Sequence, residues 1–411
     1  MAIIKVQKGT KDILPNEMSL WHFMEEKANQ VFSSYGAKEI RTPIFEATEL
    51  FARGVGDTTD IVNKEMYTFE KSERSLTLRP ENTAGVVRAF IENGMHRLSA
   101  PVKLWYKGPM FRYERPQAGR QRQFHQVGVE VFGIKQPTAD AEVILMAVNY
   151  LKALGLNDLS VELNSLGCPE CREVFKTKLK NVIKPYLTEL CPDCQARFEK
   201  NPLRLLDCKV EECKEIYAKP EIQSVIQSDF ICDECSEHFV DLKMYLDALN
   251  INYSINKLLV RGLDYYNRTV FEIKSNNLGS QNAVCGGGRY DSLVKNLSGE
   301  DTPAIGFAMG MERLATLIGE KQDTKTTAFV VSNTSLEAIK LTEEVRANGI
   351  SCEFDLTNKK FVKQLEKASK IAKYALILGE DEIAQDKVTI KNLDTAEQKL
   401  VARKDLILEL Q

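Results

Sequence analysis

Phe124-His125-Gln126-Val127-Gly128-Val129-Glu130-Val131-Phe132 alternates with a period of two, the spacing at which successive side chains of a β-strand leave opposite faces. Val127, Val129 and Val131 make an apolar face, and Gln126, Gly128 and Glu130 make a polar one. A strand whose second face looks to solvent fits this pattern. So does a strand approached by a small molecule, because glycine gives up side-chain packing and leaves room for close contact. His125 falls with the valines, away from Gln126, and is read as a packing residue without a chemical role.

Outward from this strand, residues 66–69, 75–78, 102–106 and 110–114 are short strand-like runs separated by turns rather than crossover helices, which predicts an antiparallel sheet. Residues 20–32 repeat at helical spacing, and residues 37–45 read as a turn into an extended strand ending at Thr42 and Pro43. From Cys168 to about Leu249 the chain is charged and helical in pattern, and strand signals resume at Leu258 and at residues 270–273. This segment reads as an insertion. A helix beginning near Met311 leads to a polar stretch, 319–327, that suits a linker. Beyond it, strand candidates at 328–332, 351–354, 374–378 and 387–390 alternate with helices, the pattern of a small α/β domain with a partly parallel sheet. The expected organisation is α+β, with one domain over 1–320, interrupted by the helical insertion at about 168–249, and a second over 326–411.

The length of 411 residues is enough for two or three domains of ~150 residues. With 43% hydrophobic and 27% charged residues the composition is that of a globular protein, and no run reaches the ~18 apolar residues of a membrane span. No secretory leader is visible at the start, so the chain is placed in the cytoplasm. A net charge of −3 excludes a surface coated in phosphate-binding charge and directs the search for partners to local patches. Ten cysteines in a reducing compartment point to metal or redox chemistry before disulfides. Cys168/Cys171, Cys191/Cys194 and Cys232/Cys235 have zinc-ligand spacing, and Cys208/Cys213 is a looser fourth pair. Buried reduced thiols account for the same residues, so zinc stays open at this point.

Three further constellations carry chemistry. Arg112 and Glu114 lead into a loop bearing Arg115, Gln117, Arg120 and Arg122, a concentration of guanidinium groups suited to phosphate. Residues 305–310 alternate Ile305, Phe307 and Met309 with Gly306, Ala308 and Gly310. The small face makes a platform on which a planar base could lie while Arg313 reaches a phosphate, and tight strand-to-helix packing is the alternative. The pair Arg261-Gly262-Leu263-Asp264-Tyr265-Tyr266 and Cys285-Gly286-Gly287-Gly288-Arg289-Tyr290-Asp291 combines aromatic walls with backbone open to close approach.

In these segments the chain resembles the histidyl-tRNA synthetases, a class II aminoacyl-tRNA synthetase family, along nearly its whole length and in the order of that family's motifs. Lys8-Gly9-Thr10-Lys11-Asp12-Ile13-Leu14-Pro15 is similar to the family's opening, with Lys8 where arginine is usual. Thr42-Pro43 resembles motif 1, Arg112 to Gln126 motif 2, and Gly306 to Arg313 motif 3, while 261–266 and 286–291 resemble the two segments particular to histidine enzymes. The resemblance implies a class II antiparallel sheet flanked by helices, a C-terminal anticodon-binding domain, and a homodimer built on motif 1. It implies activation of histidine by ATP with Mg2+, then transfer to cognate tRNA. By the same resemblance Arg112, Glu114, Gly310 and Arg313 serve ATP, with Arg112 on the α-phosphate and Arg313 on the γ-phosphate. Arg261 stabilises the charge that develops, and Glu81, Thr83, Gln126, Glu130, Tyr265, Tyr266, Gly287 and Tyr290 hold histidine. Arg115 and Gln117 approach the tRNA acceptor end. Lys360, Lys363, Lys367 and Lys370 share a stripe on a helix whose Phe361, Leu365, Ala368 and Ala372 lie elsewhere, which suits phosphates in an anticodon-binding domain. Regulatory relatives that have lost aminoacylation typically lack that domain and the histidine segments, both of which are here. A zinc-dependent nucleic-acid binder would leave 261–266 without explanation.

Overall fold

The structure, a computed structural model, describes residues 3–57, 59–116, 120–275, 283–319, 325–357 and 359–410. They form two compact units, Met1–Lys321 and Gln322–Gln411. In the first, one sheet is built from Lys38–Glu39 (β1), Val102–Phe111 (β2), Gln123–Phe132 (β3), Leu159–Ser165 (β4), Tyr253–Ile255 (β5), Asn267–Ser275 (β6), Ala283–Arg289 (β7) and Ala304–Gly310 (β8). Their order is β1-β2-β3-β8-β7-β6-β4-β5. The inner pairs run antiparallel, and the two edge pairs, β1–β2 and β4–β5, run parallel. The fold is α+β, as expected, and among the described residues no helix is long and apolar enough to cross a membrane.

The valine face of β3 is covered by the helices Pro15–Ser34 and Pro137–Ala153, each opening with a proline whose missing N–H costs a first turn nothing. Trp21, Met24, Phe32, Val143 and Ala147 pack there with Val127, Val129 and Val131. Three expectations need correction. The runs at 102–106 and 110–114 are one strand that ends at Phe111, leaving Arg112 to Glu114 outside it. Pro109 is tolerated inside because β1 pairs with β2 only at Leu104 and Trp105, so at Pro109 the strand is an edge. The strand expected over 37–45 shrinks to Lys38–Glu39. Thr42 leaves the ladder, its Oγ1 donating to Asn82 Oδ1 at 2.6 Å, and Phe45–Ala47 joins a separate sheet with Arg74–Leu78 and Tyr67–Lys71. Leu258 is not in a strand: its N–H donates to Asn256 Oδ1 at 3.0 Å, an Asx turn, and the strand lies earlier, at Tyr253–Ile255.

The insertion is helical, with Pro169–Ile183, Pro192–Lys200, Glu211–Tyr217, Pro220–Ile226 and Asp233–Ala248, and has its own core of Phe175, Leu179, Leu205, Ile222 and Ile226. In the second unit Thr326–Ser332 (β9), Cys352–Phe354 (β10), Ala372–Leu378 (β11), Lys387–Asn392 (β12) and Gln398–Ala402 (β13) make a sheet of order β10-β9-β11-β12-β13. It is parallel over its first three strands and antiparallel thereafter. Most of the linker expected over 319–327 lies outside the described residues, and Thr326 and Thr327 already belong to β9.

At the end of β7, Arg289 is fully buried and clasps Asp140 of the helix Pro137–Ala153, its Nη2 donating to Oδ2 at 2.6 Å and its Nε at 2.8 Å. Carbonyls of Ile134 and Gln136 take further guanidinium protons. His238, on the last helix of the insertion, approaches the same carboxylate at 3.2 Å. Asp291 Oδ1 also accepts from Arg289 Nη1 at 3.2 Å, so loss of Asp140 leaves the buried guanidinium one carboxylate partner in place of two; breaking a buried pair costs about 3–5 kcal/mol. Asp140→Ala is therefore expected to lower the unfolding free energy of this unit by about that amount in urea titration; a loss below about 1 kcal/mol would show that Asp291 or water compensates Arg289.

Candidate active site

Register decides what the polar face of β3 meets. Glu130 lies opposite Gly306, and Gln126 opposite Gly310; on the next strand Gly286 lies opposite Ala308 and, across β6, Glu272. This face looks into a cavity of about 170 Å³ rather than into solvent, and Glu81, Thr83, Gln126, Glu130, Arg261, Tyr265 and Tyr266 line it. The missing side chain at Gly128 serves a neighbour, not a ligand. A Cβ there would lie 2.5 Å from the hydroxyl of Tyr106, whose ring crosses the strand at that point. At Gly286 the room is taken by the Arg261 guanidinium, which a Cβ would overlap.

Two carboxyl groups are buried in this cavity. Glu81 sits at the start of the helix Thr83–Glu92, where the backbone N–H groups of Thr83 and Ala84 donate to it at 2.8 and 2.9 Å. Glu130 accepts from Thr83 Oγ1 at 2.8 Å, from Tyr106 Oη at 3.4 Å and from Tyr290 Oη. Burial holds Glu81 above the usual carboxylate range and pushes Glu130 up to about 8. Tyr265 and Tyr266 are tilted against one another at 4.6 Å between centroids. Their segment is held from the insertion, where Arg172 Nη1 donates to the Tyr266 carbonyl at 2.9 Å and Asn201 Nδ2 to the Asp264 carboxylate Oδ1 at 2.6 Å. Two polar atoms among the cavity-lining side chains, Gln126 Oε1 and Arg261 Nε, are buried with no hydrogen-bond partner among the described residues, which suits a ligand that supplies one.

A second cavity of about 250 Å³ shares Arg112, Arg261, Gly286 and Ala308 with the first and adds Glu114, Arg120, Phe124, Gly310 and Arg313. Arg112 donates from Nε to the Pro80 carbonyl at 2.8 Å, and its guanidinium lies 5.3 Å from the Phe124 ring. Arg120 reaches Glu114 at 3.2 Å, Arg313 Nη1 donates to the Ala283 carbonyl at 2.7 Å, and Arg261 pairs with Glu272. Burial, and then the neighbouring Arg120 charge, depress the Arg313 guanidinium. Crowded cations over a flat floor of small residues suit a planar group carrying several negative charges.

Of the residues singled out from sequence, Glu81, Thr83, Arg112, Glu114, Gln126, Glu130, Arg261, Tyr265, Tyr266, Gly310 and Arg313 line these adjoining cavities. Gly287 does not. Alternation along β7 turns it to the other face, where a Cβ would meet the Phe271 ring, and Gly286 lines the cavities instead. Tyr290 stands behind Glu130 rather than on the cavity wall. Arg115 is exposed and outside both cavities, and Gln117 lies outside the described residues. His125 packs edge-on to Trp21 and meets Glu312 at 2.9 Å. In the second unit Lys363, Lys367 and Lys370 are exposed along the helix Phe361–Ile371 and Lys360 is exposed as its N-cap, with Lys363 paired to Glu366 and Lys367 5.3 Å from the Phe329 ring. Sequence reasoning missed Glu272 as a lining residue and named Gly286 only within its glycine run; cross-strand register distinguishes both from their neighbours.

A histidyl-tRNA synthetase family model matches residues 9–170 and 218–314, and an anticodon binding domain model matches residues 324–411. Histidine–tRNA ligase of Desulforamulus reducens is 48% identical over 98% of this chain and 97% of its own length. That of Acetivibrio thermocellus is 48% identical over 100% of both. The crystal structure of apo S. aureus histidyl-tRNA synthetase superposes with a TM-score of 0.83 at 36% identity, covering 99% of this chain and 100% of that one. Sheet, cavities and sequence relatives agree: the chain belongs to the histidyl-tRNA synthetase family.

Proposed function

We propose that this chain activates histidine with ATP to histidyl-adenylate and pyrophosphate, and then transfers histidine to the 3′ end of its cognate tRNA. The observation that carries the reading is the junction of the two cavities at Arg261: an acidic, aromatic pocket on one side and a cationic trough on the other. In the first, Glu81 and Thr83 take the α-amino end, while Glu130, Gln126 and the two tyrosines enclose the imidazole. Tyr290 holds the Glu130 carboxyl in place; burial lets Glu130 keep its proton in the empty pocket and release it as a cationic group arrives. In the second, the adenine lies on the small-residue floor, with Arg112 on the α-phosphate and Arg313 on the γ-phosphate. A histidine carboxylate oxygen attacks the α-phosphorus, the bond to the pyrophosphate oxygen breaks, and Arg261 faces the charge that develops. No protein nucleophile is required, and positioning supplies much of the acceleration. Glu114 and Glu272 offer the hard oxygen ligands that magnesium takes alongside phosphate, and the ion would neutralise charge on the departing pyrophosphate. Unit Met1–Lys321 is the catalytic domain with its insertion at about 168–249, and unit Gln322–Gln411 reads the anticodon through Lys360, Lys363 and Lys367, with Arg115 and Gln117 near the acceptor end. The enzyme works as a homodimer in the cytoplasm.

Three sets of substitutions test this. Glu130→Gln is expected to raise the KM for histidine roughly ten- to hundredfold, the ~1.5–3 kcal/mol of a hydrogen bond to a charged group. Folded Glu130 also binds its proton more tightly than the unfolded chain does, so stability falls as pH climbs from the ordinary carboxylate range towards about 8; the variant should flatten that slope in thermal melts taken across the interval, and an unchanged slope would remove Glu130 as its source. Arg261→Ala should leave the fold intact while slowing adenylate formation by roughly 10²–10³-fold in single-turnover assays; near-normal activation would end its assigned role. Replacing Lys360, Lys363 and Lys367 together by alanine should weaken tRNA binding and lower its salt dependence by up to about three charges, with adenylate formation untouched.

A further inference from the structure

The insertion contributes no group to the chemistry above, yet it holds eight of the ten cysteines. Among the described residues they gather into two groups, Cys168, Cys171, Cys232 and Cys235, and Cys191, Cys194, Cys208 and Cys213. Within each group all four sulfurs lie within 4.8 Å of one another, and none is in a disulfide. Spacing along the chain cannot say which pairs combine. The fold nests them: the first and last pairs meet at the starts of the insertion's first and last helices, and the two middle pairs meet between them in sequence.

The geometry suits one ion per group. Zinc–sulfur bonds of ~2.3 Å in a tetrahedron place sulfurs roughly 3.8 Å apart, and Cys168–Cys171 at 3.4 Å and Cys191–Cys208 at 3.9 Å lie on either side of that value. A polynuclear iron–sulfur cluster would need the pairs pushed further apart to admit several metals. Three helix starts and two backbone N–H groups face the sulfurs. Cys168, Cys191 and Cys232 are the N-caps of helices of nine residues or more, with Cys171, Cys194 and Cys235 in the first turns, where the helix dipole stabilises negative charge. Backbone N–H groups donate to sulfur within each group, from Cys232 to Cys171 Sγ at 3.1 Å and from Cys191 to Cys213 Sγ at 3.3 Å. Four thiolates drawn together in largely buried positions repel one another unless a cation sits among them, and an all-sulfur tetrahedron selects zinc over harder divalent ions.

We propose that the insertion binds two zinc ions, each in a tetrahedral site of four cysteine thiolates: an outer clasp of Cys168, Cys171, Cys232 and Cys235 and an inner site of Cys191, Cys194, Cys208 and Cys213. Both are closed sites with no position for a water or substrate, so they stabilise structure. The outer clasp fixes the helix start that carries Arg172, and the inner site flanks Asn201, so each lies close in sequence to a residue that holds the 261–266 segment.

The test uses the full chain, purified under reducing conditions, dialysed against zinc chloride and passed over a chelating resin. Elemental analysis is expected to give two zinc ions per chain, and X-ray absorption at the zinc edge an all-sulfur shell at ~2.3 Å. Cys171→Ser and Cys194→Ser should each drop the content to one. If either variant fails to fold, the wild-type chain loaded with cobalt(II) should still show the intense visible bands of tetrahedral thiolate coordination at two equivalents. A folded chain that retains fewer than two ions, that binds iron in a cluster, or whose cysteines are oxidised to disulfides after this treatment would overturn the assignment. These readouts do not depend on aminoacylation, so failure here leaves the catalytic reading standing.

Discussion

A buried acid organises the first unit. Glu130 is almost wholly removed from water, and a carboxyl in such a place must be matched by donors or hold its proton. Its partners come from three separate stretches of chain: Thr83 at a helix start, Tyr106 on β2 and Tyr290 beyond β7. Satisfying one side chain thus brings together the parts that line the pocket. Arg289, adjacent to Tyr290, serves the other side of the sheet, where it closes on Asp140. Two consecutive residues therefore anchor a pocket acid on one face and a helix on the other, which ties the site's position to the stability of the core.

Much of this was legible in the sequence where a pattern is local. Alternation in residues 124–132 placed the valines inside, turns between short runs indicated antiparallel pairing, and the helical character of the insertion follows from its composition. The rest depends on register between strands far apart in the chain, which periodicity does not carry. Gly128 seemed to make room for a ligand and instead makes room for Tyr106. Gly286, rather than Gly287, lines the cavities because β7 pairs with β8 and β6 in one register and not its neighbour. Glu272 sits in the run Val270 to Ile273, and only its place across from Gly286 on β7 marks it as a lining residue. The roles given to Glu81, Tyr265 and Arg313 came from resemblance; the convergence of those residues on two adjoining cavities makes physical sense of them.

The family model that covers the sheet leaves residues 171–217 unmatched, and all four cysteines of the inner group lie in that interval. Residues 171–217 are thus separable in sequence from the matched segments while joined to them in space through Arg172 and Asn201. A small helical unit with a modest core gains most from added cross-links, which is the physical logic of placing eight cysteines there.

The most direct measurement is amino-acid-dependent exchange of pyrophosphate into ATP, run with histidine and with each other amino acid in turn. A pocket that hydrogen-bonds imidazole through buried groups should support exchange with histidine and reject residues lacking those groups by roughly 10⁴ or more. Folded chain that shows no exchange with histidine, or that exchanges comparably with other amino acids, would contradict the reading of the two cavities as a histidine-activating site.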